Sequence, residues 1–413
     1  MSKNIYKLSK KDLENILSYV KKRSENDQNF QNSIISAYKF NAKWSNLFFY
    51  LLVRIFAFFL FPKSKQIKYF FWGTKFKELI LTLPPKEVCV LGGPKQLLFC
   101  LKNHRAFLPE MKFWHPLLKD LIHQQSLIDR QKFARRIYKL SDKLVHLSAR
   151  DAFLIVDNDS LPVQRAVMHA AHLTNRLQTI CIQDGIFQRK SPGHILHGWF
   201  ADSFFVINKN QKELLIEKGM AANKIKIMGF HSSPYLPKRP LSVPCNRKIC
   251  FFGQPWDKYD KIKSKRYLQI VKYIAKTLNE SGYQLDFKPH PWEKGSIYLK
   301  QIKKVVNISM QEALECYDVF LSMTSTALFE ASASGRISVQ IFDPIFECDK
   351  FSDVSFIVSI DCRKDDFYLK LLNIIDGSKP KQMMLTPPVT QRFLKVVQSD
   401  NFRCSAPGAS VAS

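Results

Sequence analysis

From about residue 85 to residue 375 the chain keeps returning to one pattern, an unbroken apolar run of four to six residues and then a stretch with helical periodicity. A strand with one wet face alternates apolar and polar side chains, whereas an unbroken apolar run needs cover on both faces. The runs Val88–Leu91, Ala152–Val156, Thr179–Ile182, Phe204–Ile207 and Ile225–Met228 alternate with helix-like stretches over 131–148, 162–176 and 209–218. They predict a parallel sheet between two layers of helices. Four prolines between His231 and Lys248 interrupt the pattern. It restarts at Ile249–Phe252, with further strands expected at 284–288, 305–308, 319–322, 337–342 and 356–360. At 413 residues the chain is long for one core. The expected fold class is therefore α/β, with two doubly wound domains over 85–235 and 249–376, a linker at 236–248, and a cleft between the carboxyl ends of their strands. Residues 377–413 are left for a C-terminal helix and tail, and residues 1–84 read as a basic helical region.

Within that basic region, Trp44 to Phe61 is the one long apolar stretch. A spanning helix needs roughly 20 apolar residues. This stretch is shorter, and Arg54 in its middle costs about 2.5–3.5 kcal/mol on insertion scales. Lys39 and Lys43 precede it; Lys63, Lys65 and Lys68 follow. The expectation is a peripheral, membrane-associating helix on the cytoplasmic face of an anionic inner membrane. Trp44, Phe48, Phe49, Phe58 and Phe59 would sit in the lipid boundary, and Arg54 would snorkel to phosphates. A spanning helix and a helix buried in the first domain are the other readings of these residues. The net charge of +28 suits an anionic surface or a phosphorylated ligand. Nucleic acid is not an expected partner, because the basic residues are scattered and no zinc-finger spacing or RNP-type strand accompanies them. Nine cysteines without a CxxC pair read as reduced thiols, mostly inside strands.

Three segments fall where strands of such sheets end, the usual place for ligands in open α/β folds. Asp184-Gly185 follows the run TICI. A carboxylate there can take the proton of an acceptor hydroxyl, with Gly185 permitting the tight turn that presents it; the same pair also makes an ordinary turn. His290 stands between Pro289 and Pro291. An imidazole so restrained can donate to a phosphate or protonate it as it leaves, or can be a surface turn residue. Ser322 to Ala327 runs from a strand into a helix, where the hydroxyls of Thr324, Ser325 and Thr326 cap the helix and free N–H groups suit an anion. Glu330 lies one turn further on, placed for a ribose hydroxyl or a lysine. The string Asp157-Asn158-Asp159 reads as a loop, and no metal site is expected.

The order of these motifs resembles bacterial sialyltransferases and polysialyltransferases of the GT-B type, whose motifs are an acidic residue before Gly, a His-Pro pair and a Ser/Thr pair. The segment Phe251-Phe252-Gly253-Gln254-Pro255 looks like the strand that opens the donor domain of capsule and lipooligosaccharide sialyltransferases. The resemblance covers roughly residues 150–345, with Gln183 departing from the acid found before the base. It implies a metal-independent inverting transferase of bacterial surface polysaccharide, with a CMP-activated, sialic-acid-like donor and a saccharide or lipid-linked saccharide acceptor. No cofactor is implied beyond the nucleotide sugar. Asp184 would be the general base and His290 the acid at the donor phosphate. Gly253, Gln254, Pro291, Thr324, Ser325 and Thr326 would surround the nucleotide, and Glu330 the ribose. The pattern is similar also to Kdo transferases and to CDP-polyol phosphate polymerases. A non-catalytic scaffold of a polysaccharide assembly complex and a sugar-nucleotide epimerase share the expected architecture.

Overall fold

The structure is a computed structural model. It describes residues 8–24, 53, 55–56, 58–62, 65–110, 114, 117, 127–187, 199–258, 260–290, 293, 304–353, 357–377 and 387–399. The chain divides into two compact units, the first comprising Met1–Asp184, Gly193–Ser232 and Pro387–Ser413, the second Gly185–Pro192 and Ser233–Thr386.

The first unit starts with helix α1 (Lys10–Ser24), then β1 (Ile67–Trp72), α2 (Lys77–Thr82), β2 (Val88–Gly92), α3 (Pro94–Asn103), β3 (Ala106–Pro109), α4 (Leu127–Leu147) and β4 (Ser148–Val156). It continues with α5 (Pro162–His172), β5 (Leu177–Ile182), β6 (Ser203–Val206), α6 (Lys209–Glu217) and β7 (Ile225–Ile227). All seven strands are parallel, in the order β3-β2-β1-β4-β5-β6-β7. The order reverses between β1 and β4, and open α/β sheets bind ligands at the carboxyl ends beside such a reversal. The central strands are apolar on both faces: Phe70, Phe71, Leu154, Ile155 and Ile180 have no exposed surface. Each such side chain contributes about 1.5–3 kcal/mol by leaving water. The described N-terminal helix is fixed to this unit through Arg165 on α5, which donates to Asn15 O at 2.7 Å and Ser18 Oγ at 2.6 Å.

The second unit contains β8 (Ile249–Phe252), α7 (Lys261–Glu280), β9 (Leu285–Lys288), α8 (Met310–Cys316), β10 (Val319–Ser322), α9 (Ala327–Ala333), β11 (Ile337–Phe342), β12 (Val358–Asp361) and α10 (Phe367–Gly377). Its parallel order, β12-β11-β10-β8-β9, reverses between β8 and β10. A last helix, α11 (Val389–Val397), returns to the first unit and puts Val389, Phe393 and Val397 into the core beside Tyr69, Phe153 and Phe205.

The boundaries expected from sequence shift in four places. The sheet of the first unit begins at Ile67, inside the stretch assigned to a basic helical region. The sequence IKYFFW prolongs the aromatic run before it, but it is buried on both faces as a central strand. β3 was missed because its four residues AFLP end in a proline. The run at 305–308 contributes a single bridge, Phe287 to Val305, because it is solvated rather than covered. The proline-rich linker belongs to the second unit. Asp318, fully buried, accepts from Arg239 Nη2 at 2.9 Å and from the N–H groups of Ser242 and Lys248 at 3.0 Å each. Of the residues expected at a lipid boundary, Trp44, Phe48, Phe49 and Arg54 lie outside the described residues; no described helix is long and apolar enough to cross a membrane.

Candidate functional site

In the first unit the carboxyl ends of four strands converge on one carboxylate. Asp184 follows β5 and is half-exposed. Lys75 arrives from the turn after β1, where Gly73 takes the left-handed φ of 80° that a side chain would resist. Its Nζ lies 2.7 Å from Asp184 Oδ1. His231, after β7, brings Nε2 to 3.7 Å of the same oxygen and meets the Phe76 ring edge-on at 5.5 Å. Both partners approach Oδ1, and among the described residues Oδ2 receives no hydrogen bond. Asp157, after β4, completes the group. Burial raises its pKa, the Asp184 charge adds to that, and Gln164 and Lys75 oppose it.

Burial also lowers the pKa of His231, against the pull of the Asp184 carboxylate. The folded protein therefore resists charging this ring more than the unfolded chain does. The stability that follows is complete above the ordinary histidine value near 6.5 and is lost as pH falls from there through the lower folded value. Thermal melts between pH 7.5 and 5 should show wild type losing more stability on acidification than His231→Asn, with the difference constant above about pH 7. Parallel melting curves across that range would exclude the ring as a titrating group.

The residue before Asp184 faces elsewhere. Gln183 is buried, accepts the Ile207 N–H at 3.0 Å and donates to Gln211, so it joins β5 to the start of α6. The acid expected there by family pattern is replaced by an amide with a packing role. Gly185 does not have a left-handed φ, so the tight turn expected of it is not what calls for glycine. A Cβ there would touch Thr326 Cγ2 at an ordinary 3.7 Å.

In the second unit, Gly253 and Gln254 follow β8, His290 follows β9, and Met323 to Thr326 follow β10, all on the carboxyl edge of one sheet. Glu293, fully buried, holds the first two together: its Oε1 accepts the Gln254 N–H at 3.0 Å and its Oε2 the His290 N–H. Gly253 has no room for a side chain, because a Cβ would run into Glu293 Oε2 and lie 2.8 Å from Phe287 Cζ. Ser322 Oγ donates to Phe252 O at 2.8 Å, tying β10 to β8. Ser325, also buried, accepts the Ala327 N–H at 3.3 Å. The capping role falls to Ser325; Thr326 is exposed and makes no side-chain cap, and Thr324 is half-buried. Glu330 is exposed in the first turn of α9. Pro291 lies outside the described residues.

Lys75, His231 and Glu293 carry weight at these edges that sequence reasoning did not assign. A lysine after a glycine turn was the one available hint for Lys75, and Glu293 reads as surface charge within Trp-Glu-Lys-Gly. Asn158 and Asp159 behave as loop residues: Asn158 Oδ1 accepts the Ser160 and Leu161 N–H groups, and Asp159 holds those of Phe200 and Ala201. Among the described residues no group of three metal-ligating side chains converges.

No family model matches the sequence, and no curated protein matches it. Solved structures do match. UDP-GlcNAc 2-epimerase of Methanocaldococcus jannaschii, in complex with UDP-GlcNAc and UDP, aligns at a TM-score of 0.53 and 13% identity over 80% of this chain and 98% of its own. The S. aureus MnaA–UDP structure aligns at 0.53 and 13%, over 82% and 96%. The Neisseria meningitidis UDP-GlcNAc 2-epimerase bound to UDP-GlcNAc aligns at 0.52 and 12%, over 80% and 98%. The fold is GT-B. At these identities the likeness is one of architecture, and both sheets of the GT-B frame, with their reversals, are present in this chain.

Proposed function

We propose that the protein is a nucleotide-sugar-dependent glycosyltransferase in which Asp184 is the general base. The observation that carries this reading is the half-exposed Asp184 carboxylate, placed at a strand's carboxyl edge and held through Oδ1 by Lys75 at 2.7 Å, with His231 Nε2 3.7 Å from the same oxygen. A carboxylate so fixed can take a proton from an acceptor hydroxyl through Oδ2. The acceptor oxygen then attacks the anomeric carbon, the bond from that carbon to the donor phosphate breaks on the opposite face, and configuration inverts. In the second unit, His290 and the Ser325–Thr326 helix start are the groups that would meet the charge of the leaving phosphate. Gly253 supports this only through packing, since its missing side chain leaves room for Glu293, which holds the Gln254 and His290 N–H groups. The donor class we infer is cytidine-activated and sialic-acid-like, on the resemblance of the Asp-Gly, His-Pro and Ser/Thr motifs, with a surface saccharide as acceptor. The GT-B neighbours bound to UDP or UDP-GlcNAc support a nucleotide sugar in general.

A thermal-shift panel of CMP, CDP, UDP, GDP and ADP tests this on wild type and His290→Ala. Saturating CMP or CDP should raise the melting temperature by roughly 5–10 °C in wild type and by much less in the variant. A response to UDP alone would reject the cytidine donor. Conversion of UDP-GlcNAc to its 2-epimer without an acceptor would make the protein an epimerase, and indifference to all five nucleotides would favour a scaffold.

A further inference from the structure

The stretch just before β1 is built into the first unit and still leaves an aromatic face outside it. Val53 is buried in the core cluster that contains Tyr69, Phe107 and Phe153, and Leu60 packs against the same cluster. Leu60 O accepts the Phe107 N–H at 3.0 Å. Phe107 belongs to β3, the outermost strand on that side of the sheet. The segment thereby covers an edge that would otherwise offer unpaired backbone groups to any passing strand. With its inner side used in this way, its outer side carries Phe58, 79% exposed, and Phe59, 74% exposed, with Ile55, Phe56 and Phe61 about half-exposed beside them.

Single exposed apolar residues are ordinary; five within seven positions form a patch of the kind that marks an interaction surface. Exposed lysines accompany it in the same unit. Lys65 is exposed just after it. Helix α3, which packs through Leu97 and Phe99 into the same cluster, turns Lys95, Leu98 and Lys102 outward. Phenylalanines flanked by lysines match the boundary of an anionic bilayer, where rings enter the acyl region and ammonium groups meet phosphates. A second copy of the chain matches less well, because each carries a net charge of +28 and would bring like charges together.

We propose that this face, centred on Phe58 and Phe59 and assisted by the exposed Lys65, Lys95 and Lys102 of the same unit, docks the first unit on an anionic phospholipid surface. The sheet edge is sealed from within and the lipid contact is made from without, by the two sides of one segment. Because Val53 and Leu60 fix that segment, the unit is held at the lipid rather than tethered to it.

The experiment is co-sedimentation of the full chain with vesicles of phosphatidylcholine, alone or mixed with phosphatidylglycerol. Wild type, Phe58→Ser/Phe59→Ser and Lys95→Ala/Lys102→Ala are compared, with thermal melts confirming that each variant is folded. Wild type should bind the mixed vesicles, release as salt rises, and bind neutral vesicles weakly. The double phenylalanine variant should bind at least about tenfold more weakly. The double lysine variant should lose roughly fivefold per lysine, with a flatter salt dependence. Undiminished vesicle binding by the folded phenylalanine variant would overturn the proposal, as would failure of wild type to bind mixed vesicles. A dimer of wild type that the phenylalanine variant breaks, with vesicle binding unaltered, would assign the face to a second copy instead. No nucleotide enters the assay, so its outcome and that of the Asp184 reading are independent.

Discussion

Asp184→Ala should lower transfer by about 10²–10⁴-fold in kcat while leaving nucleotide affinity nearly unchanged. Asp184 belongs to the first unit, and the residues proposed to hold the nucleotide belong to the second, so removing the carboxylate takes away a proton acceptor and little binding. Stability should move little as well. Lys75 and Asp184 are both half-exposed, and such a pair contributes about 0–1 kcal/mol. Asp184→Asn keeps the shape and a hydrogen-bond acceptor but cannot take the proton, so it should lose as much activity as Asp184→Ala. Single-turnover rates with radiolabelled donor, beside equilibrium nucleotide titrations, separate the two quantities. Full activity in the asparagine variant, or a matched loss of rate and affinity, would remove Asp184 from the role of base.

Glu293→Ala should cost about 2–4 kcal/mol of stability and should also abolish the thermal response to nucleotide. The carboxylate is fully buried, and the His290 N–H depends on it; the Gln254 N–H is shared between Glu293 Oε1 at 3.0 Å and Tyr267 Oη at 3.1 Å. Truncation therefore removes an acceptor from the half-buried His290 N–H, weakens the hold on the Gln254 N–H, and leaves a cavity against Gly253. The ends of β8 and β9 would lose their common anchor, and His290 with them. Glu293→Gln keeps one acceptor oxygen and should recover part of the loss. Urea titration reads the effect as a lower midpoint at constant slope. A midpoint within error of wild type in the alanine variant would mean that His290 is positioned by other contacts.

The second sheet was largely legible because its strands are unbroken apolar runs bounded by glycine, proline or hydroxyl residues. Ile249–Phe252, Val319–Ser322 and Ile337–Phe342 stand where the pattern places them. β1 was hidden by context. Its six residues follow an aromatic stretch, and nothing local distinguishes a ring that enters a sheet from one that faces outward. The site divides in the same way. Asp184, His290, Gly253 and Ser325 were visible because each directly follows a strand, and a strand's carboxyl end is a position that sequence can mark. Lys75 and His231 were not, because their significance comes from strand order: β1 and β7 are far from β5 along the chain, yet their ends face one carboxylate. Glu293 was invisible for a third reason, since a buried carboxylate is recognised by the N–H groups it accepts and not by its neighbours in sequence.

The last helix has a consequence for how the molecule is made. Phe393 on α11 lies 5.9 Å from the rings of both Tyr69 and Phe205, and Arg392 donates to Met228 O at 2.9 Å. The core that begins at β1 is thus closed by residues synthesised more than 300 positions later. On the ribosome the usual order, in which the earlier domain matures first, is inverted. The second unit, contiguous from Ser233 apart from the Gly185–Pro192 segment, can finish folding while the first still shows an apolar face. Until α11 emerges, that face is open to chaperones, to proteases and to other nascent chains.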